Sequence, residues 1–238
     1  MEEKSLSIAF GDTFKEEVIG CISNIAEVGL DSIMEDGTLK ELPIVSTVAA
    51  LYKIGNSIKD RHNLKKLALF LDEINQGIAD DQKREEYVKK FKDNEKFRNQ
   101  EIEYLLILID RYVGYDKPRL LAKLYLAYLN EDINWDTFAE FSEIIDRLMR
   151  SDYRCLFEFM CHGGVKINES PKINIASVLR LLSVGFVRQQ AGIPVVRFDD
   201  PESQKVFDYY ITEYGRLFTK VFEKELRYTY RSAEGDDK

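Results

Sequence analysis

Two histidines and three cysteines are the side chains of this sequence that most readily act as bases, nucleophiles or metal ligands. His62 lies in the run KDRHN beside Asp60 and Arg61, but adjacent positions on a helix point in different directions and do not converge. His162 follows Cys161 near a predicted helix end, where a cation is favourable. A nucleophilic Cys–His pair there would need distant partners that the sequence does not reveal.

The other candidates for metal or phosphate chemistry have unsuitable spacing. Cys155 and Cys161 lie farther apart than the paired cysteines of zinc sites. Glu140, Glu143 and Asp146 recur every third residue, which a solvated helix face explains as well as a cation site does. The sequence contains no Walker A, Rossmann or nucleophile-elbow motif, and the glycines of CHGGVK do not follow a predicted strand. It therefore predicts no catalytic residue, metal or cofactor, although an enzyme whose site is assembled only in three dimensions stays open.

Composition restricts the class of protein. The 238 residues are 45% hydrophobic and 12% aromatic, which is enough apolar material for a packed core. The formal net charge of −8 argues against unspecific adhesion to nucleic acid or anionic membranes, but it permits a local basic surface. The odd cysteine count favours free thiols, and the acidic N-terminal MEEKSLSIAF lacks the apolar core of a signal peptide. We expect a cytoplasmic protein.

The stretch LPIVSTVAALY at 42–52 is the longest charge-free apolar run in the first half of the chain. It is shorter than the ~20 residues that a membrane-spanning helix requires. The longer segment 42–58 is amphipathic, with Lys53 towards its C-terminal end and Lys59 directly after it. We interpret it as a core helix, with insertion into a membrane interface as the alternative if the segment is released.

Hydrophobic periodicity predicts a mainly α-helical fold. Residues 1–150 show repeated helical spacing and are predicted to form a multi-helix N-terminal domain. Residues 151–230 change period and are predicted to form a winged-helix-like domain with a short three-stranded β-ribbon. The polar tail 231–238 is expected to be frayed.

The winged-helix prediction begins with a helix over 174–184 that Gly185 ends as a C′ glycine. Three short strands are predicted at 186–190, 195–198 and 207–211, because β-branched and aromatic residues alternate with turn-forming segments.

The run YYITEYGRLFTKVF marks the change from the last strand to a final helix at 213–229. Thr212 is predicted to cap the free backbone amides of that helix. Gly215, in its first turn, is predicted to let the helix lie close against the strands.

In a winged helix that reads DNA, the helix before the ribbon enters the major groove and the ribbon contacts the backbone. Residues 165–231 carry 11 Lys and Arg against 8 Asp and Glu, a small basic surplus, while the predicted wing tip RFDDPESQK contains three acids. The sequence therefore favours protein contacts over DNA contacts. The candidate nucleic-acid or partner contacts are Lys172, Asn174, Ser177, Arg180, Arg188 and Arg197.

Five segments in order carry a resemblance to a known family. They are LPIVSTVAALYKIGNSIKDRHNLKKL (42–67), DKPRLLAKLYLAYL (116–129), FSEIIDRLMRSDYRCLFEF (141–159), VLRLLSVGFV (178–187) and YYITEYGRLF (209–218). In pattern and order the chain resembles the abortive-infection alpha family of bacterial and phage-borne proteins. The resemblance implies a role in bacterial defence against phage, in which infected cells stop growing. It implies no molecular activity and no functional residues.

The sequence thus leads to one main hypothesis and two alternatives. The main hypothesis is a non-enzymatic interaction or effector protein of anti-phage defence, with a protein partner or self-association. The alternatives are a DNA-binding transcriptional regulator and a membrane-perturbing effector that acts through residues 42–58.

Overall fold

A computed structural model describes residues 5–15, 18–19, 22–23, 58–78, 80–166, 173–191 and 207–227. The described chain is mainly helical, as predicted, and contains a small antiparallel sheet. It divides into two compact units, Met1–Ser142 and Glu143–Lys238. The division falls a few residues before the predicted boundary at 150.

The elements are numbered here in chain order along the described residues. Those that begin in the first unit are α1 (Leu6–Asp12), α2 (Ile58–Gly77), α3 (Asp81–Asp93), α4 (Glu95–Arg111), α5 (Asp116–Leu129) and α6 (Trp135–Arg147). The second unit continues with α7 (Arg150–His162), β1 (Gly164–Lys166), α8 (Ile175–Ser183), β2 (Val187–Ala191), β3 (Phe207–Ile211) and α9 (Glu213–Val221).

The core of the first unit is aromatic. Phe10 and Phe14, one helical turn apart, contact each other edge to face, with ring centroids 5.5 Å apart. Both rings also contact Phe91 of α3, and Phe10 contacts Tyr125 of α5. All four side chains are at most 1% exposed, so α1, α3 and α5 share one desolvated core.

A buried ion pair lies beside this core. Arg98 donates to Glu101, three residues later on α4, and Tyr128 of α5 donates to the same carboxylate. The side chains of Arg98 and Glu101 are 9% and 1% exposed. The guanidinium also lies over the ring of Phe91, 5.5 Å from its centroid. Burial raises the pKa of Tyr128 to about 12, and its hydrogen bond to Glu101 adds to the shift.

Lys66 closes the C-terminal end of α4. The last carbonyl groups of a helix lack intrahelical partners. Lys66 reaches across from α2, and its Nζ donates to the carbonyl oxygens of Ile109, Asp110 and Tyr112. A cation at this position complements the helix dipole as well as satisfying the oxygens. Burial lowers the pKa of Lys66.

In the second unit, α7 ends at Gly163, which has φ +71° and donates to the carbonyl of Phe159. The strands have the order β1-β3-β2, and both pairings are antiparallel. β2 and β3 match two of the three predicted strands, whereas the predicted strand 195–198 lies outside the described residues. β1 was not predicted, because three residues that begin within a glycine pair carry too little pattern to indicate a strand.

The junction between β3 and α9 confirms the prediction made from YYITEYG. Thr212 Oγ1 accepts a hydrogen bond from Gly215 N at 3.0 Å and donates one to the carbonyl of Gly185 at 2.7 Å. A Cβ atom on Gly215 would lie 2.3 Å from the carbonyl oxygen of Phe186 and 3.0 Å from a side-chain carbon of Ile211. The glycine is therefore required for the close approach of α9 to the sheet.

Of the predicted segment 42–58 only Ile58, the first residue of α2, is described, and residues 231–238 lie outside the described residues. The final helix was predicted to span 213–229. The first segment, α9, ends at Val221, residues 223–227 are again helical after a turn at Phe222, and residues 228–229 lie outside the described residues.

Candidate interaction surface

The helix α8 precedes the β2–β3 ribbon and, together with its N-cap, carries three of the six predicted contact residues. Asn174 is its N-cap, and its side-chain oxygen accepts from the amide of Ala176 at 2.9 Å. Gly185 follows the helix with φ +78°, which confirms the predicted C′ glycine. Val178 and Leu181 are fully buried and hold one side of the helix against the unit.

The opposite side of α8 is apolar and exposed. Ile175 and Leu179 are 47% and 53% exposed, although fully apolar side chains of this size usually contribute to a core. They are four residues apart and therefore lie on the same helical face. Clustered exposed apolar side chains are typical of protein interaction sites, whereas single ones are ordinary.

Arg180 is held within the unit rather than presented outward. Its Nε donates to Oδ2 of Asp152 at 2.8 Å, and its Nη2 donates to Oδ1 at 2.6 Å. Asp152 is 0% exposed and also accepts from the backbone amide of Met149 at the start of α7. These hydrogen bonds raise the pKa of Arg180. Releasing Arg180 to a phosphate would leave a buried carboxylate without its cation, which is costly.

Ser177 does not point outward as predicted. It is 0% exposed, and its hydroxyl donates to Ser151 Oγ at 3.2 Å. The position lies one turn before Leu181 and so belongs to the buried side of α8. Ser177 is therefore unsuitable as a direct contact to DNA or to a partner.

The remaining predicted contacts are spread over different elements. Asn174 is exposed, but its side chain is used as the helix cap. Arg188 of β2 is exposed and lies over the ring of Tyr210, 5.4 Å from its centroid. Lys172 and Arg197 lie outside the described residues.

Met149 is a further exposed apolar side chain of the second unit. It is 59% exposed and immediately precedes α7. The first turn of α7 is bonded to α8 through Ser151 and Asp152. We call Ile175 and Leu179 the apolar face.

The two histidines were the other candidates for a functional site. The structure places His62 inside α2. Its Nε2 lies 2.8 Å from the carbonyl oxygen of Val113, which can only accept, so Nε2 carries the proton. Nδ1 then accepts from the hydroxyl of Tyr115 at 2.8 Å. Both ring nitrogens are thus engaged in joining α2 to the α4–α5 connection.

His162 and Cys161 lie at the end of α7. His162 Nδ1 is 3.0 Å from the carbonyl oxygen of Glu158, one turn earlier. Cys161 is an exposed free thiol whose pKa burial raises, so it stays protonated at neutral pH instead of forming a nucleophilic thiolate. Within the described ranges, no group of three or more His, Cys, Asp and Glu side chains could hold a metal ion.

A cavity of about 380 Å³ lies between α2 and α4 in the first unit. Leu64 and Leu67 form part of its apolar lining. On its polar side, Asp110 accepts from Asn63 and pairs with Lys59 at 3.2 Å. These polar groups bond to one another, so they do not indicate which charge a ligand of the cavity would carry.

Comparisons with known proteins give no assignment: no family model, curated protein or solved structure matches the chain. Among the helices of the described residues, none combines the length and the apolar character needed to cross a bilayer.

Proposed function

We propose that this protein is a non-enzymatic interaction or effector protein of bacterial anti-phage defence, of the abortive-infection type. The second unit would act as a winged-helix-like module that contacts protein through α8. The defence role is supported by the resemblance of the ordered sequence segments. The contact role is supported by the geometry of α8.

One observation carries the preference for protein contacts. The outward side of α8 presents Ile175 and Leu179, while its single charged residue, Arg180, is bound by a buried carboxylate. Protein interfaces bury apolar side chains at their centres, whereas DNA-reading helices present basic and amide side chains to phosphates and base edges. The large exposed side chains of α8 are apolar, as they are at the centre of a protein interface.

The order of elements supports a winged-helix-like arrangement. A helix and a short strand precede α8, and an antiparallel ribbon follows it. In such a module, α8 occupies the position of the groove-reading helix and the β2–β3 ribbon follows it as the strands of the wing do. To bind a protein at that position, a helix needs exposed apolar side chains, and α8 carries them.

A DNA-binding regulator is the alternative, and a titration separates it from the proposal. We expect weak binding of duplex DNA without sequence preference, because Arg180 is engaged and Ser177 is buried. The measurement is a titration of random duplex pools at two salt concentrations. Arg188→Ala tests the exposed ribbon arginine, and Lys220→Ala on α9 is its control.

The regulator would behave differently in the same titration. Each phosphate contact that is lost should reduce the salt dependence of binding by about one unit of slope. Selection of one sequence at nanomolar affinity, weakened by Arg188→Ala and not by Lys220→Ala, would reject the protein-contact proposal.

The membrane-perturbing alternative depends on residues 42–58, of which only Ile58 is described. No structural observation favours it over protein contacts.

A further inference from the structure

We propose that the first unit carries a second interaction surface, on which aromatic side chains beside carboxylates bind an arginine from a basic segment of a partner protein. The aromatic side chains that carry this inference are Phe97 of α4 and Trp135 of α6. The carboxylates are those of residues close to Trp135 in the chain. This surface goes beyond the proposed use of α8, which belongs to the second unit, and shares no residue with it.

The aromatic part of the surface is centred on Trp135, the single tryptophan of the chain. Its indole contacts the rings of Phe97, Tyr104 and Tyr128, whose centroids are 6.5, 5.6 and 5.3 Å away. Phe97 is 41% exposed, and the other three side chains are each partly exposed. Four aromatic side chains from three helices therefore share one partly exposed patch. Such patches are typical of protein interaction sites, where Trp, Tyr and Arg contribute most of the binding energy.

The charge beside Trp135 is negative. Residues 130–142 contain no lysine or arginine and four acidic residues, namely Glu131, Asp132, Asp136 and Glu140. All four are exposed. Lys90 lies 3.3 Å from Glu131, but the side chain of Glu131 remains 83% exposed, and such surface ion pairs contribute little. These carboxylates are therefore accessible to a cation from a partner.

The cations on α4 leave this charge largely uncompensated. Arg98 lies over the ring of Phe97, 5.6 Å from its centroid, but its own partner is the buried carboxylate of Glu101. Lys96 is exposed and precedes Phe97, so it opposes the acidic residues with one positive charge. The contact of Arg98 also shows within the chain that Phe97 accepts a guanidinium against its ring.

An arginine matches both the rings and the carboxylates. Its planar guanidinium stacks on aromatic faces and forms paired hydrogen bonds with a carboxylate. The same acidic surface repels the phosphates of nucleic acids and of anionic lipids, and the net charge of −8 disfavours a second copy of the chain. Charge complementarity therefore points to a basic segment of a different protein.

Titration of the full chain with the peptide nona-arginine, at about 0.15 M salt, tests the surface. The readout is the fluorescence of Trp135, which reports the patch directly because the chain has no other tryptophan. We expect a saturable change. Nona-lysine has the same charge but stacks less well on aromatic rings, so it should bind several-fold more weakly.

A double variant tests the carboxylates without loss of the fold. Glu131 has φ +66°, a conformation that favours glycine, so Glu131→Gly removes its charge without backbone strain. Combined with Asp136→Asn, it should weaken nona-arginine binding about tenfold or more, while the urea unfolding midpoint stays close to that of the wild type. Asp81→Asn combined with Glu85→Gln is the control, because it removes two exposed charges from α3 and should bind like the wild type.

Phe97→Leu tests the aromatic part. Leucine keeps an apolar side chain but removes the ring, and Trp135 remains as the reporter. We expect several-fold weaker binding of nona-arginine and little change for nona-lysine, since the loss is that of stacking and not of charge.

Three results would overturn the proposed surface. They are a wild type that does not bind nona-arginine, equal losses of affinity in the two double variants, and nona-arginine binding that Phe97→Leu leaves unchanged. Equal losses would mean that the peptide responds only to net charge. None of these variants alters α8, so each of these failures leaves the proposed contact role of α8 standing. Conversely, phage protection that does not require Leu179 would reject that role and leave this surface intact.

Discussion

Glu101→Ala is expected to lower the free energy of unfolding by about 3–5 kcal/mol, the usual cost of removing one partner of a buried ion pair. The substitution leaves the guanidinium of Arg98 buried beside aromatic rings. Its Nε already has no hydrogen-bond partner, so the remaining charge has little compensation. Tyr128 loses its acceptor in the same substitution.

The measurement is a urea unfolding curve followed by the fluorescence of Trp135, which contacts Tyr128 in the same unit. Glu103→Ala is the matched control, because Glu103 is an exposed residue of the same helix. We expect the control to stay within about 0.5 kcal/mol of the wild type, as exposed substitutions usually do. Equal losses in the two variants would show that the buried pair has no special importance.

Gly215→Ala is expected to destabilise the second unit by about 3 kcal/mol, at the upper end of overpacking substitutions. The added Cβ would meet the backbone of Phe186 at 2.3 Å, a position that no side-chain rotation relieves. Either α9 must move away from the sheet, or the chain must distort where Thr212 caps the helix.

Gly114→Ala is the control for this substitution. A Cβ at Gly114 has no atom within 4 Å, and alanine there should be neutral or slightly stabilising through a less flexible unfolded chain. Far-ultraviolet circular dichroism during urea unfolding reports both variants. If Gly215→Ala unfolded at the same urea concentration as the wild type, the close approach of α9 to the sheet would be wrong.

Local sequence patterns predicted the parts of the fold that depend on neighbouring residues. Thr212 and Gly215 lie three residues apart, so one short stretch of sequence was enough to predict both the helix cap and the close approach of the helix to the sheet. The role of Gly185 as the C′ glycine could be predicted for the same reason, since a glycine after an apolar helix is a common signal of the helix C-terminus. Such features require no knowledge of distant contacts.

Which side chains α8 leaves exposed depends on distant residues. The bond from Arg180 to Asp152 joins positions 28 residues apart, and no spacing rule relates them. Without it, Arg180 was predicted to be a free contact residue, and Ser177 was predicted to face outward. Ile175 and Leu179 could have been noticed from sequence, because α8 has more large apolar residues than one buried stripe requires.

The buried pair in the first unit shows the same limit. Arg98 and Glu101 have the spacing of an ordinary surface pair on a helix. Their burial arises from aromatic residues of α3 and α5, which reach them only in the folded chain. Sequence spacing predicts that two side chains can meet, but their exposure depends on tertiary packing.

A phage challenge of bacteria that express the protein tests most directly whether α8 acts through its apolar face in defence. Phage should form fewer plaques on cells that express the wild type or Lys220→Gln than on cells without the protein. Cells that express Leu179→Gln should lose this protection. Equal amounts of folded protein must be verified by circular dichroism and immunoblotting. Full protection by Leu179→Gln, or no protection by the wild type, would contradict the proposed function.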